Sequence, residues 1–383
     1  MKIGILTFHR AINYGAFMQA YSLLTKLQED FPNDDIEIID YNNKKREIFL
    51  KKCPLIFMYR RSIKEGFQKY IQTVEFKRSL QFLRLSKSFL SCSNEKIDTF
   101  IEKTYDIIIV GSDAVFNWND IGLPNPYFLY GIKSKKKVSY AASAHLQKYD
   151  NVSKKEKKYL SNALTDFFYL GVRDNSTARF VDGLIKNTKS RHNCDPSIFL
   201  KLNFSEMNLA EKLKRHKFDL SKKTVFVMLM NSKYGKYVKQ YFGKEYQIVA
   251  LMDGNKYADN YLYDLNPFEW AHVFKYGNFL VTDYFHGTIF GLKNKIPVMS
   301  IDASKYCVEG YESKAKDLLV TRLGLQGNYV NGEELEGTEG YRNFAKRIEE
   351  IQREFDPELI TKKIEEEANS YSDFKKALEK LHQ

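Results

Sequence analysis

Residues 279–302 constrain the fold of this chain more than any other stretch. The apolar run at residues 279–282 predicts a buried strand, and residues 296–301 predict a second one. Between them lie the polar turn 283–288 and a segment with the length of a short helix. Two buried strands joined by a helix are typical of a parallel sheet, so we expect an α/β fold. Ligands of such folds bind where a strand ends and a helix begins.

A histidine, His286, stands in that polar turn and is followed by Gly287 and Thr288. The free N–H groups and the positive dipole end of the following helix would point at a bound anion. Two interpretations remain open from these residues alone. His286 either packs or caps at an ordinary corner, or belongs to a ligand site.

Further strand–helix units precede and follow this stretch, with a charged, aromatic-poor segment at residues 204–223 between two groups of them. The pattern predicts two Rossmann-like domains facing a cleft, the GT-B arrangement, at residues 1–215 and 216–383. Residues 43–100 interrupt the alternation with helical patterns, so we interpret them as a helical, basic insertion in the first domain. The second domain is expected to carry the C-terminal helices.

The charge of the chain is unevenly distributed. The net charge is +12, and residues 44–87 hold 13 Lys or Arg against three acids, a local balance of +10. This segment suits either an anionic lipid surface or a solvated pair of helices, and both interpretations remain open. Nucleic acid is not expected as a partner, because no nucleic-acid-binding signature accompanies the charge.

Targeting and redox features are expected to be those of a cytosolic protein. The N-terminus lacks the apolar core of a signal peptide, and no stretch is long and apolar enough for a membrane span. The chain has four cysteines, Cys53, Cys92, Cys194 and Cys307, without a CxxC pair, so neither a zinc site nor a disulfide framework is expected.

Polar residues follow several predicted strands and should meet at one edge of the sheets. Arg173 can clamp an anion with its guanidinium or form a salt bridge with Asp174 or Asp195. Asp113 can act as a base or cap a helix, and His145 is expected to be structural. No nucleophilic triad, HExxH or carboxylate-rich metal loop occurs in the sequence, so no bound metal is expected.

Six stretches in order make the chain resemble the polysaccharide pyruvyl transferase family. They are KIGILTFHRAINYGAFMQAYSLL at the start, DIIIVGSDAVFNW at 106–118, VSYAASAH at 138–145, GVRDNSTARFV at 171–181, CDPSIFL at 194–200 and VTDYFHGTIFGLKNKIPVMSID at 281–302. The resemblance implies a GT-B-like fold and an enzyme that moves a pyruvyl group from phosphoenolpyruvate to a sugar of a surface glycan, such as a capsule or exopolysaccharide. The product would be a cyclic ketal.

The resemblance also implies the surroundings of the reaction. Family members generally act in the cytoplasm on a glycan that a lipid or nucleotide diphosphate still carries, with phosphoenolpyruvate as donor substrate and no cofactor. We therefore expect a lipid- or nucleotide-linked sugar acceptor. Peripheral contact with the inner membrane face belongs to the open interpretation of the basic segment as a lipid-binding surface.

The family's donor-binding arginine matches Arg173, and the histidine of its (R/S)-(L/F)-H motif matches His286. The chain departs from the family pattern at three positions. Tyr284 stands where some members have arginine, Ala114 where a glutamine is usual, and His145 where glycine is common. The first departure weakens the expectation of two arginines on phosphoenolpyruvate.

These observations lead to an assignment of roles. Arg173 and the helix start at Gly287 and Thr288, with Tyr284 beside them, are expected to bind the donor. His286 is expected to be the general acid, and Asp113 to orient or deprotonate a sugar hydroxyl. Asn13 and Tyr14 are expected to touch the acceptor. Two alternatives are a GT-B glycosyltransferase that uses a sugar nucleotide and a non-catalytic glycan-binding relative.

Overall fold

A computed structural model describes residues 1–119, 121–133, 135–145, 147–185, 189–202, 209–302 and 312–383 of the chain. Two positions named above lie outside these residues. They are Cys307 and Phe204, the first residue of the charged segment 204–223. The three cysteines within them, Cys53, Cys92 and Cys194, are free thiols.

The described strands form two six-stranded sheets and one two-stranded sheet. The strands are β1 Lys2–Leu6, β2 Asp35–Ile38, β3 Tyr41–Asn42, β4 Phe89–Leu90, β5 Ile107–Asp113, β6 Lys136–Ala142, β7 Tyr169–Val172, β8 Arg191–His192, β9 Thr224–Met228, β10 Gln247–Leu251, β11 Asn260–Leu262, β12 Phe279–Thr282, β13 Val298–Asp302 and β14 Tyr329–Asn331.

Helices cover both faces of the two large sheets and form the insertion. They are α1 Tyr14–Asp30, α2 Lys44–Arg60, α3 Ile63–Ser79, α4 Asn94–Thr104, α5 Lys154–Thr165, α6 Asn175–Leu184, α7 Leu209–Arg215, α8 Ser232–Phe242, α9 Pro267–Val273, α10 Phe285–Lys293, α11 Lys314–Lys316, α12 Gly340–Glu354, α13 Pro357–Ala368 and α14 Tyr371–His382.

All strands of the two large sheets are parallel. In each sheet the order in which the chain adds strands reverses near the middle. The first has the order β2-β1-β5-β6-β7-β8 and the second β11-β10-β9-β12-β13-β14. In the second sheet the chain runs from β9 outward to β11 and then crosses to β12, so the switch point lies between β9 and β12. The start of α10, which carries His286 as its second residue, follows β12 at this switch point, so the helix begins earlier than the predicted turn 283–288 allows. The expected pair of Rossmann-like α/β sheets is confirmed.

Capping residues fix where α9, a helix of the second half, begins. Asn266 accepts hydrogen bonds from the N–H groups of Phe268 and Glu269, Pro267 takes the first helical position, and Glu269 reaches back to the Asn266 N–H. This is the capping box that the sequence predicts at the start of α9.

Aromatic side chains of α1 and α9 join the two halves. The rings of Tyr14 and Trp270 are centred 5.7 Å apart, and those of Phe17 and Phe268 meet edge-on at 5.6 Å. Burial of such rings contributes a large apolar area at each contact. The start of α1 is therefore held against the second half of the molecule.

The C-terminal helices differ from the prediction. Residues 357–382 form two helices, α13 and α14, separated by Asn369 and Ser370. In α14, Phe374 packs its ring 4.7 Å from that of Tyr140 in β6, so this helix lies on the first sheet rather than with the second domain. The reason is the apolar face of α14, which finds its partners in the first half.

Short edge strands were also absent from the prediction. β8, β11 and β14 contain two or three residues each, too few to show a periodic pattern. Within the described ranges, no helix is both long and apolar enough to cross a membrane.

Candidate active site

Arg173 follows the last residue of β7 and projects into the space between the two halves. The residue is 4% exposed. Its Nη1 donates to Asp195 Oδ2 at 2.8 Å, and its Nη2 lies 3.6 Å from Asp113 Oδ1. The predicted salt bridge with Asp195 is thus present, yet it occupies one part of the guanidinium.

The remaining donors of Arg173 lack hydrogen-bond partners among the described residues. Both Nε and Nη2 are buried without one. Buried unpaired donors cost free energy, and charged ones cost more. A planar pair of free N–H groups on one guanidinium matches the two oxygens of a carboxylate or phosphate.

Asp113 ends β5 with a positive φ of 77° and accepts a hydrogen bond from the Ala114 N–H at 2.8 Å. No helix begins there, so Asp113 does not cap one. Burial raises the pKa of its carboxyl, but the positive charges of Arg173, His286 and Lys314 outweigh burial and hold the pKa below its usual value. Asp113 therefore stays ionised near neutral pH and suits orienting a hydroxyl better than donating a proton.

His286 is the second residue of α10 and is 7% exposed. Its Nε2 lies 3.4 Å from Asp195 Oδ2, the same oxygen that Arg173 contacts. Burial opposes ionisation of Asp195, but His286 and Arg173 hold the pKa of this carboxyl far below its usual range. An ionised Asp195 orients the imidazole and the guanidinium, and it would stabilise a positive charge on the ring.

The imidazole of His286 also touches the backbone of the other half. A Cβ built on Gly15, the second residue of α1, would lie 2.2 Å from both Cγ and Nδ1 of His286. Only a residue without a side chain fits at this contact, because real Cβ atoms do not approach so closely. Gly15 thus lets the start of α1 pack directly on the ring.

The start of α10 offers backbone donors to a ligand. Tyr284 is its N-cap residue but makes no capping hydrogen bond with its side chain. Thr288, in contrast, is engaged within the protein: its N–H donates to the Tyr284 carbonyl at 3.1 Å, and its hydroxyl pairs with Ser300 at 2.8 Å. At Gly287 a Cβ would lie 2.7 Å from Thr282 Oγ1, so this glycine is required by packing.

Lys314, the first residue of α11, is a further cation at the site that the sequence reasoning missed. Its Nζ lies 5.2 Å from the centre of the Phe285 ring, and the Arg173 guanidinium lies 4.9 Å from the same ring. Burial lowers the pKa of the Lys314 ammonium, and Arg173 lowers it further against the opposing effect of Asp113. We call Asp113, Arg173, Asp195, His286 and Lys314 the cleft cluster.

A signal for Lys314 was present in the sequence. The residue follows an N-cap, Ser313, whose side chain accepts a hydrogen bond from the Lys316 N–H. A cation in the first turn of a helix opposes the helix dipole, where acids are the usual choice. A lysine at this position is therefore more easily explained by a nearby anion than by helix stability.

The other predicted residues lie outside the cleft cluster. Asn13 caps α1, accepting from the N–H groups of Gly15 and Ala16, and so helps to position the contact with His286. Tyr14 is a correction: its side chain is fully buried against Trp270 and offers no surface to an acceptor. The Tyr284 hydroxyl donates a hydrogen bond to Asp253 Oδ2 at 2.5 Å.

His145 borders the cleft cluster from the end of β6. Burial and the charges of Lys314 and Arg173 lower the pKa of its imidazole to about 4, so the ring is neutral at neutral pH. Across the part of the chain that the structure describes, no group of three or more His, Cys, Asp or Glu is arranged to hold a metal.

Comparison with known proteins gives one family. The sequence model described as "Polysaccharide pyruvyl transferase" matches residues 13–305, which is more than half of the chain and confirms the resemblance. The match includes four of the five residues of the cleft cluster and ends before Lys314. No curated protein sequence matches the chain.

Solved structures show the fold. The chain is similar to a glycosyltransferase from Rickettsia africae ESF-5, with 11% identity, a TM-score of 0.51, and 100% of this chain and 97% of that chain covered. It is also similar to UDP-GlcNAc 2-epimerase from Methanocaldococcus jannaschii, with 11% identity, a TM-score of 0.51, and 93% and 94% covered. At this identity the likeness shows the GT-B fold alone.

Proposed function

The chain belongs to the polysaccharide pyruvyl transferase family, and from this premise we propose that it transfers a pyruvyl group from phosphoenolpyruvate to a sugar of a surface polysaccharide precursor. The acceptor sugar is carried by a lipid or nucleotide diphosphate, the product is a cyclic pyruvate ketal, and no cofactor takes part. The cytoplasm is the proposed place of the reaction, because the resemblance implies it.

One observation carries the proposal. Arg173 is buried in the cleft, and its Nε and Nη2 have no hydrogen-bond partner among the described residues. Its guanidinium lies 4.9 Å from the centre of the Phe285 ring and is linked through Asp195 to His286. Phosphoenolpyruvate carries a carboxylate and a phosphate, and either group can accept two hydrogen bonds from this fork. Binding the donor would satisfy the two groups whose burial now costs free energy.

Lys314 supplies the second positive charge that Tyr284 does not. Arg173 and Lys314 approach the same Phe285 ring, so one donor molecule can meet both cations. The uncapped start of α10 adds backbone N–H groups and the positive dipole end. Three sources of positive potential then face a substrate with two anionic groups.

His286 is the proposed general acid. Protonation of the vinyl carbon of phosphoenolpyruvate leaves positive charge at C2, and a sugar hydroxyl attacks that carbon. Loss of phosphate and attack by a second hydroxyl close the ketal. The vinyl carbon becomes a methyl group, and the two hydroxyl protons balance the one gained there and the one that leaves with phosphate.

The remaining members of the cleft cluster act around these steps. Asp113, held ionised by its cationic neighbours, accepts a hydrogen bond from the incoming hydroxyl and orients it. Asp195 contacts both His286 and Arg173, so it holds the acid and the anion clamp in one geometry. Asp195 is thus a positioning residue.

The test is incubation with phosphoenolpyruvate and a panel of lipid-diphosphate and nucleotide-diphosphate sugars. We expect phosphate release together with the mass of a pyruvate ketal on one acceptor. His286→Ala should lower turnover by about 10²–10⁴-fold, the range for a positioned acid–base group. His192→Ala is the matched control, because that ring pairs with Glu367 at 2.7 Å and lies outside the cleft cluster. Full turnover by His286→Ala would remove its role as acid.

A glycosyltransferase that uses a sugar nucleotide is the second candidate, favoured by one observation. A polar cavity of about 1030 Å³ lies at the carboxyl ends of β9, β10 and β12, lined by Met230, Asp253 and Tyr284 among others. Open α/β sheets bind ligands at this edge. Thermal stabilisation by a sugar nucleotide but not by phosphoenolpyruvate would favour this candidate.

A further inference from the structure

The insertion carries a helical hairpin in which α3 packs on the rest of the protein through Phe76 and Gln72, whereas α2 is poorly covered. Of the 17 residues of α2, only Cys53 is buried. A surface helix of a globular protein normally buries an apolar stripe against the core, and that burial supplies most of its stability. Five large apolar residues of α2 lack such cover: Ile48, Phe49, Leu55, Met58 and Tyr59.

Large apolar side chains are concentrated on this hairpin. Among the described residues, 16 large apolar side chains are exposed, and eight of them lie between residues 48 and 70. The most exposed are Tyr59 at 93% and Ile63 at 75%. The other six are Ile48, Phe49, Leu55, Met58, Phe67 and Tyr70. Scattered exposed apolar residues are ordinary, but such a contiguous group marks an interaction site.

The exposed residues follow helical spacing. Ile48, Leu55 and Tyr59 are seven and four positions apart and fall on one stripe of α2. Ile63, Phe67 and Tyr70, four and three positions apart, form the corresponding stripe of α3. Each helix therefore presents an apolar edge to the outside.

Lysines flank the stripe of α2. By helical spacing Lys44, Lys51 and Lys52 fall beside Ile48 and Leu55, and all three are exposed. The hairpin as a whole holds 11 Lys or Arg and three acids. Long basic side chains beside an apolar stripe can lay their stems on apolar surface while their charged ends meet anions.

We infer that the hairpin docks on an anionic lipid bilayer, with the apolar stripes in the headgroup region and the lysines on lipid phosphates. A cationic helix pair with aromatic and aliphatic residues on its exposed edge matches the chemistry of that interface. A second copy that docked through the same hairpin would oppose like charges, and an uncharged partner helix would leave the dense positive charge without a counterpart.

A cavity lies at the base of the hairpin, beside the loop that leads into α1. It has a volume of about 660 Å³ and lies between the hairpin and the loop from β1 to α1, with Arg10, Lys45, Arg46, Lys69, Phe49 and Tyr127 in its wall. Ile12 also lines it and precedes Asn13, the cap of the helix that packs on His286. The opposite wall includes Asp253, the partner of Tyr284.

The cavity favours a lipid as the carrier of the acceptor, a choice that rests on the proposed function. Its mixture of aromatic and cationic groups suits the diphosphate and first sugar of an amphiphile whose chain remains in the bilayer. A free nucleotide sugar needs no apolar docking surface. The docked hairpin would thus present the acceptor at the side of the cleft where α1 begins.

Vesicle co-sedimentation tests the docking surface without an activity measurement. The whole protein should sediment with vesicles that contain phosphatidylglycerol and stay in solution with pure phosphatidylcholine. Lys51→Glu with Lys52→Glu should weaken binding about tenfold or more, since each basic residue near an anionic surface adds to the attraction. Leu55→Ser with Ile63→Ser should weaken binding comparably through lost apolar insertion.

Each variant has a matched control. Lys154→Glu with Lys155→Glu changes two adjacent exposed lysines at the start of α5. Leu220→Ser with Leu359→Ser removes side chains that are 65% and 44% exposed, beside 63% and 75% for Leu55 and Ile63. Both control proteins should bind vesicles as the wild type does, and all variants should keep the wild-type circular dichroism and melting temperature.

Three outcomes would overturn the inference. They are no binding of the wild type to anionic vesicles, equal loss in hairpin and control variants, and a change of oligomeric state in the hairpin variants without loss of vesicle binding. The proposed function fails separately, in the assay with a water-soluble acceptor. A protein that binds vesicles but never forms a ketal would keep the docking surface and lose the function.

Discussion

The cleft cluster and the α2–α3 hairpin both gather cations, and they differ in what surrounds those cations. Arg173 is 4% exposed and shares its charge with Asp195 and Asp113, whereas Lys51 has a side chain that is 68% exposed. Buried charges interact strongly because water does not screen them, and exposed charges interact weakly beyond about 8 Å at physiological salt. One region can therefore select a single small anion, and the other a broad anionic surface.

The hydrogen-bond donors of the two regions also differ in whether water can reach them. In the cleft, Nε and Nη2 of Arg173 are buried without partners among the described residues, so the free protein holds an arrangement that a ligand improves. On the hairpin, Lys51 Nζ lies 3.7 Å from a Glu47 carboxylate oxygen, and most of the Lys51 side chain is exposed. Surface pairs of this kind contribute little to stability. Substitutions in the cleft cluster should consequently have large effects on kcat/KM, whereas substitutions on the hairpin should have small effects on stability.

The largest expected effect is at Arg173. Arg173→Ala removes the fork that faces the donor and should lower kcat/KM by about 10³-fold, as expected when preorganised donors to an anion are lost. Arg173→Lys should recover little of this, because an ammonium cannot make the paired contact. Arg179→Ala, at an exposed position on α6, is the control and should retain activity. An active Arg173→Ala would contradict the assignment of the donor site.

Lys314 is the next test, and it uses pH. Because burial and Arg173 lower the pKa of Lys314 below 10.5, its charge is lost at a lower pH than that of an ordinary lysine. In the proposed function the protonated form binds the anionic donor, so kcat/KM should fall as pH rises through the lowered pKa. Lys314→Arg keeps the charge and should move this alkaline limb upward.

If the alkaline limb of the pH profile of kcat/KM does not move in Lys314→Arg, a group other than Lys314 is responsible for that limb. Lys314→Ala should lower kcat/KM at every pH by about 10²-fold, the lower range for loss of one charge-stabilising group. Lys316→Ala, two residues away on an exposed part of α11, serves as the matched control.

A smaller effect is expected at Gly15. Gly15→Ala places a methyl group where His286 Cγ and Nδ1 would lie 2.2 Å away, so either the ring or the start of α1 must shift. We expect a loss of about 1–3 kcal/mol in the free energy of unfolding, the usual cost of overpacking. Denaturant titration measures it, and turnover should fall with it. Gly122→Ala is a useful contrast, because nothing lies within 4 Å of its Cβ, although its φ of 78° adds backbone strain.

The smallest expected effect is on the stability of the hairpin. Lys51→Glu with Lys52→Glu should change the free energy of unfolding by about 0.5 kcal/mol or less, because exposed charges contribute little. Thermal unfolding in high and low salt measures this. A large loss would mean that these lysines hold the protein together, and the two regions would then differ less than their exposure suggests.

Local signals in the sequence were sufficient for most of the fold. The apolar run of β12 and the capping residues Asn266, Pro267 and Glu269 each act within a few positions. The edge strands β8, β11 and β14 were missed because pairing with a neighbouring strand, rather than their own pattern, defines them. The docking of α14 on β6 and β7 joins residues far apart in the chain, which periodicity cannot reveal.

The site was predictable in its positions and less so in its contacts. His286, Arg173 and Asp113 follow strands, and parallel topology brings such residues to one edge. Tyr14 also begins a helix at that edge, but the facing Trp270 buries it, and no property of Tyr14 itself indicates this. Lys314 was missed because its role depends on Phe285 and Arg173, which come from two other segments.

The origin of the cleft cluster has a consequence for folding in the cell. Asp113, Arg173 and Asp195 come from the first half of the chain, whereas His286 and Lys314 come from the second, and Gly15 permits their closest approach. A newly made chain whose halves have folded but not yet docked would hold an anion clamp without an acid. Ketal formation would then report completed assembly, and a partly assembled protein could not consume phosphoenolpyruvate.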